Sequence, residues 1–133
     1  MNHDDYSDAY LRDILESVRT IAVVGASPRL RRPSHGVMRF LQRHGYRTIP
    51  VNPYAAGDEI LGEKVFASLG EIKEPTDMVD IFRRSEMAGA VVDDAIAIGA
   101  KVVWMQLGVC DDAAALRAEA HGIKVVMDRC PAI

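Results

Sequence analysis

Thr20-Ile21-Ala22-Val23-Val24-Gly25-Ala26-Ser27-Pro28-Arg29-Leu30-Arg31-Arg32-Pro33-Ser34-His35-Gly36 decides the fold. A short apolar run ends at a glycine, which suits a buried strand followed by a tight turn. A polar loop with two prolines and three arginines follows. Ser34 then stands where a helix is expected to begin, placed as its N-cap. That helix is expected from about Ser34 to His44, with Val37, Phe40 and Leu41 inward and Gly45 closing it.

The same alternation extends in both directions. Upstream, Leu11, Ile14, Leu15 and Val18 share one face of a helix expected over residues 8–18. Downstream, Arg47–Val51 reads as a second strand, with Pro50 late in it or at a bulge because proline donates nothing to a ladder. Residues 54–75 read as irregular, with a short helical turn near Ser68–Ile72. Asp77–Phe82, Lys101–Met105 and Ile123–Met127 read as further strands. They are separated by helices over about Ser85–Ile98 and Asp111–His121.

Strands alternating with helices at this spacing imply right-handed βαβ units. The expected architecture is a three-layer α/β, Rossmann-like fold with a mostly parallel five-stranded sheet in the order 3-2-1-4-5. The whole of residues 1–133 is expected to form one domain. Ligands of such sheets sit beyond the carboxyl ends of the strands, beside strand 1. That rule selects the loops Gly25–Gly36, Asn52–Tyr54, Phe82–Ser85 and Gln106–Cys110.

The charge pattern points to the same place. The 133 residues carry a net charge of −3, yet Ser17 to Gly57 contains no Asp or Glu and seven arginines. The remainder holds nine basic and all nineteen acidic side chains. An acidic chain with one acid-free, arginine-bearing stretch suggests a local anion site rather than a general polyanion binder. Nucleic acid is not the expected partner, because the arginines are not interleaved with aromatics. No apolar run is long enough to cross a bilayer, and the acidic N-terminus lacks a signal-peptide pattern. A cytoplasmic location is the expectation. Cys110 and Cys130 make neither a disulfide framework nor a zinc motif.

In the first loop, Gly25 permits the turn, Ser27 offers a hydroxyl and a backbone N–H, and Ser34 opens a helix whose free N–H groups seat a phosphate. Arg29, Arg31 and Arg32 can neutralise further phosphates. The two glycines alone would serve turn geometry; the arginines add the ligand argument. A G-x-G-x-x-G fingerprint is absent, and the second strand ends on Asn52-Pro53 rather than on the acid that NAD ribose requires. NADP would favour arginines near that strand end, but Arg47 lies at the other end. No P-loop motif occurs.

Five segments then carry a family resemblance: Ile21–Ser27, Val51-Asn52-Pro53, Val79–Arg83, Val103–Gly108 and Val126–Pro131. In this order the chain resembles the small CoA-binding proteins related to the N-terminal domain of the succinyl-CoA synthetase α subunit. The resemblance implies coenzyme A or an acyl-CoA as ligand. It implies that Gly25, Ala26 and Ser27, with Ser34, His35 and Gly36, hold the pyrophosphate, and that Asn52 and Pro53 line the adenosine side. Ile81, Phe82 and Arg83 would lie against the adenine or the pantetheine arm, and Met105, Gln106 and Leu107 along that arm. Arg29 and Arg32 join the cofactor-binding set. The chain departs from the ligase pattern after Pro53, where Tyr54 stands and no lysine appears before Lys64.

Blander roles compete at several of these positions. Trp104 and Phe82 suit core packing as well as a ligand platform, and Arg83 and Arg84 suit solvent. Gln106 could satisfy a local backbone group, and His35 reads more simply as a solvated loop residue. No catalytic triad order, metal-ligand spacing or paired carboxylate motif is present. Cys130 falls on the ligand edge by topology, and Cys110 precedes a helix N-terminus, a place that can lower a thiol pKa. The sequence thus supports a non-catalytic binding module. The alternatives are an enzyme acting on acyl-CoA or by cysteine thiol exchange with CoA, and an NADP-binding regulator. A protein partner is left open.

Overall fold

The computed structural model describes residues 3–131. Helix α1 (Asp8–Ser17) starts on Ser7, whose side chain accepts the Tyr10 N–H at 3.1 Å. Strand β1 (Thr20–Val24) leads through the arginine loop into α2 (Pro33–Arg43) and then β2 (Arg47–Val51). A two-residue hairpin, β3 (Glu59–Ile60) and β4 (Glu63–Lys64), occupies part of the segment expected to be irregular. It turns through Leu61 and Gly62, both at positive φ, the geometry that matches strand twist. The helical turn expected near Ser68–Ile72 is a 3-10 turn, Leu69–Glu71. Strand β5 (Met78–Ile81), α3 (Ser85–Ala97), β6 (Val102–Met105), α4 (Asp112–Ala120) and β7 (Lys124–Val126) complete the alternation.

The main sheet is parallel throughout, in the order β2-β1-β5-β6-β7. It has the expected doubly wound form once one strand is relabelled. The place outside β2 expected for a third strand is taken by a single parallel bridge between Val51 and Phe66. There the Phe66 N–H donates to the Pro50 carbonyl at 3.0 Å, and the Asn52 N–H donates to the Phe66 carbonyl at 2.9 Å. The missing N–H of Pro50 therefore falls on the outer side of β2 and leaves its ladder with β1 intact. Asp77–Phe82, read from sequence as the third strand, instead crosses to the far side of β1.

Alternation within each strand divides the core into two layers. Ala22, Val24, Val79, Ile81, Val103 and Met105 face α3 and α4. Ile21, Val23, Met78, Val102 and Trp104 face α1 and α2. Trp104 is 1% exposed, and its Nε1–H donates to the Arg129 carbonyl at 3.0 Å, so it is a core residue. Among the described residues no helix is long and apolar enough to cross a membrane.

Because β2 and β5 lie on opposite sides of β1, the connections after β1 and β5 part company. Helix α2 covers one face and α3 the other. The chain at Gly25 passes so close to β5's end that an added Cβ would meet the Phe82 carbonyl oxygen at 2.5 Å. Gly25 also has φ +88°, which favours glycine. Gly36, in the same loop-to-helix unit, has nothing within 4 Å of a built Cβ and no left-handed backbone. The two glycines should respond with opposite signs. Gly25→Ala is expected to cost at least ~2 kcal/mol through strain and overlap. Gly36→Ala is expected to stabilise the helix by ~0.5–1 kcal/mol. Urea denaturation of the two variants checks both.

Candidate functional site

The site is built where those connections part. The N–H of Gly25 donates to the Val51 carbonyl at 2.8 Å, and the Phe82 N–H donates to the Val24 carbonyl at 2.8 Å. These bonds hold the ends of β2, β1 and β5 level. Asn52 then ties the first loop to the second. Its Nδ2 donates to the Ala26 carbonyl and its Oδ1 accepts the Tyr54 N–H, both at 2.9 Å.

The N-terminus of α2 differs from the expected arrangement. Arg32, not Ser34, is the N-cap, and its side chain makes no capping bond. Pro33 fills the first helical position, where a missing N–H costs nothing. Ser34 lies inside the first turn, 3% exposed, and its Oγ accepts the Ser27 N–H at 3.1 Å. It folds the loop back onto the helix instead of closing the helix end, which remains open to an anion.

A cleft of about 470 Å³ opens over this end. Gly25, Ser27, Arg32, Ser34, Asn52, Phe82, Arg83, Gln106 and Leu107 line it. So do Pro33, Val37, Val109 and Cys130, of which only Val37 lies outside the loops and the ligand edge selected from sequence. A second cavity of about 170 Å³ lies on the α3 side of the strand ends. Its walls include Val24, Val51, Pro53, Leu69 and Val91, and Arg83 borders both spaces.

Six of the residues drawn into the candidate site line neither space. Ile81 and Met105 are fully buried on the α3–α4 side of the sheet, because strand alternation turns them away from the cleft. Ala26 is 1% exposed and contributes its carbonyl to Asn52. Gly36 and Arg29 are exposed outside the cleft. His35 is the opposite of a solvated loop residue: it is buried, and its Nδ1 has no hydrogen-bond partner. Its position in the first turn of α2 carries it under the helix rather than toward the opening.

Electrostatics at the cleft are uneven. Among the described residues Arg29, Arg31, Arg32 and Arg83 form no ion pair with a carboxylate. Arg83 instead reaches the Met87 sulfur at 3.3 Å. Arg47, by contrast, is engaged by Glu63 and Glu74 at the far end of β2. Cys110 does not have the lowered pKa expected of a helix N-terminus. Partial burial, then Asp112, Asp128 and Asp111, push its thiol up.

One residue that motif reading passed over lies directly beneath. Asp80, on β5, is fully buried on the α1–α2 face. Its Oδ1 accepts Gln106 Nε2–H at 2.5 Å, while Oδ2 has no hydrogen-bond partner among the described residues. Burial pushes its carboxyl up to about 7, against the smaller lowering effect of Gln106. The signal available in sequence was an acid inside an otherwise apolar strand, Met78-Val79-Asp80-Ile81.

A family model described as a CoA binding domain matches residues 19–133. The chain belongs to the CoA binding domain family. The uncharacterized protein YneT of Bacillus subtilis (strain 168) is 42% identical over 124 residues, covering 93% of this chain and 90% of YneT. A hypothetical protein from Pyrococcus horikoshii OT3 superposes with a TM-score of 0.92 at 36% identity, covering 99% of this chain and 92% of the other. A dinucleotide-forming acetyl-coenzyme A synthetase 1 from Ca. Korarchaeum cryptofilum, in complex with phosphate and ADP, superposes with a TM-score of 0.70 at 25% identity. That match takes in 80% of this chain and 25% of the synthetase. The expected kinship with CoA ligases thus holds at the level of family and fold.

Asp80 gives the site a pH signature independent of ligand. Its folded pKa lies above its unfolded one, so the folded state holds a proton that the unfolded state releases. The stabilisation is complete below about pH 4, the ordinary carboxylate value. It is lost as pH rises through about 7. Asp80→Asn is expected to flatten the decline in urea midpoint between pH 5 and 8.5. An unchanged decline would assign it to other groups.

Proposed function

We propose that this protein binds coenzyme A, with the free N-terminal turn of α2 as the pyrophosphate seat. The observation that carries the reading is the conjunction at one opening: an uncapped helix N-terminus, Arg32 and Arg83 without acidic partners among the described residues, and the cleft between Gly25 and Phe82. A helix N-terminus carries roughly half a positive charge, and arginine adds bidentate donors for phosphate oxygens. Membership of the CoA binding domain family supports coenzyme A among phosphate-bearing ligands.

The two cavities divide the ligand. Ser27, Arg32 and Ser34 would meet the pyrophosphate. The smaller cavity, walled by Val24, Val51, Pro53 and Val91, would take the adenine, with Arg83 at its mouth. Phe82 and Leu107 would flank the start of the pantetheine arm, and Gln106, Val109 and Cys130 would line its path. Ala26 and Asn52 would act by holding the loop, and Gly25 by letting the backbone approach.

We read the protein as a binding module, acting where CoA is dissolved, in the cytoplasm. A second reading has one observation behind it: Cys130 lines the same cleft. Its thiolate could attack a CoA disulfide, forming a Cys130–CoA mixed disulfide and releasing one CoA thiolate. Mass spectrometry of protein incubated with CoA disulfide decides this: a CoA adduct lost in Cys130→Ser supports exchange, and no adduct removes it.

Thermal shift tests the main reading. CoA and acetyl-CoA are expected to raise Tm well above NAD, NADP and ATP at matched ionic strength. Arg32→Ala is expected to weaken CoA binding about tenfold, the usual worth of one charge-assisted hydrogen bond. Equal shifts from all five nucleotides would refute selective CoA binding.

A further inference from the structure

We propose that Asp80 is a positioning residue that sets which end of the Gln106 amide faces the cleft, so that the site demands an N–H donor from the ligand's arm. The proposal rests on the CoA reading and adds a specificity device to it.

Gln106 is 5% exposed, and what remains exposed lines the cleft. Its Nε2–H donates to Asp80 Oδ1, while its Oε1 makes no hydrogen bond within the protein among the described residues. An ionised carboxylate is acceptor-only, so it fixes the amide in this orientation. The carbonyl oxygen is then turned to the opening and requires a donor. A secondary amide N–H, of which a pantetheine arm carries two, supplies one. A ligand offering only an ester or ether oxygen there would meet acceptor with acceptor.

Protonated Asp80 can donate an O–H to Gln106 Oε1. The amide then turns over and presents N–H₂ to the same point. The proton of this second state sits on Oδ1, the oxygen that faces Gln106, and Oδ2 is left as the free carbonyl oxygen. Few groups compete for the proton. The in-register neighbours of Asp80 are Val23 on β1 and Trp104 on β6. The titratable or charged groups packed on this face are His35 from α2, Tyr6 and Tyr10 from the α1 region, Tyr46 ahead of β2, and Arg129 and Cys130 after β7. None of them hydrogen-bonds Asp80, and none contributes a charge effect to its displaced titration.

The test compares CoA with adenosine 3′,5′-bisphosphate, which carries phosphates and adenine but no pantetheine arm. Binding of each is measured by calorimetry from pH 5.5 to 8.5. The ratio of CoA to bisphosphate affinity is expected to rise about tenfold more across that range in the wild type than in Asp80→Asn, the order of one hydrogen bond made or lost. The 3′-phosphate titrates in both ligands, and the terminal 5′-phosphate of the bisphosphate, a pyrophosphate in CoA, adds a slope that the two proteins share and that their comparison removes. In Gln106→Leu the ratio is expected to be low and to follow the Asp80→Asn slope, with bisphosphate affinity retained as the sign of an intact fold and phosphate seat. The ¹³Cγ resonance of Asp80 should titrate within the range and shift its midpoint downward when CoA is bound. An identical pH profile in Asp80→Asn and wild type would overturn the proposal and leave the CoA reading standing. Absence of CoA binding at every pH would overturn both.

Discussion

The approach of the Gly25 backbone to the Phe82 carbonyl is the constraint on which the site depends. Two parallel strands, β1 and β5, end side by side, and their following segments must leave in opposite directions over the sheet. A side chain at Gly25 would push the strand ends apart. Glycine lets them stay in hydrogen-bonding register up to the last residue, with the Phe82 N–H on Val24. The divergence leaves one space toward α2 and one toward α3, with Arg83 between them. A bent ligand with a charged middle, an aromatic end and a long arm suits that division better than a compact one.

Charge follows from the same geometry. The acid-free stretch runs from the end of α1 through β1, the loop and α2 to beyond β2, so Arg32 at the open helix end meets no carboxylate among the described residues. Ser34 shows how the protein keeps that end open. A serine at the N-cap would spend its oxygen on the helix's own N–H groups. Two residues past the N-cap it accepts the Ser27 N–H instead and shapes the loop. Arg47 shows the contrast, since at the far end of β2 its guanidinium is neutralised by two glutamates and is lost to ligand binding.

Local pattern made most of the fold legible. Every strand of the main sheet was visible as an apolar run, and each helix as a periodic segment between turn residues. What the pattern could not show was which strands are neighbours: Asp77–Phe82 read as a third strand beyond β2, but lies beside β1, and a single bridge at Phe66 fills the outer place. The β3–β4 hairpin was too short for periodicity to register, with Leu61 rather than glycine or asparagine at its first turn position. At the site, loop residues were readable because turn chemistry and charge are local. Strand residues were not, because facing depends on register. Ile81 and Met105 sit one residue from positions that reach the cleft, Phe82 and Gln106, and alternation sends them to the opposite face.

Asp80 illustrates the remaining gap between sequence and function. A carboxyl buried in an apolar layer, with one amide partner and one bare oxygen, is costly in its charged form. An Asn or a hydrophobic residue would pack between Val23 and Trp104 without that cost. The unfavourable term is confined to a strand position directly below a cleft-lining side chain, and among the described residues the one hydrogen bond the Asp80 carboxyl makes is to that side chain. Local destabilisation that coincides with control of a binding group is the pattern expected when a site is held in a state its surroundings would not otherwise choose. Because linkage is reciprocal, whatever binds the Gln106 carbonyl must favour the ionised carboxylate and offset part of its burial. The buried charge and the cleft are therefore two ends of one equilibrium.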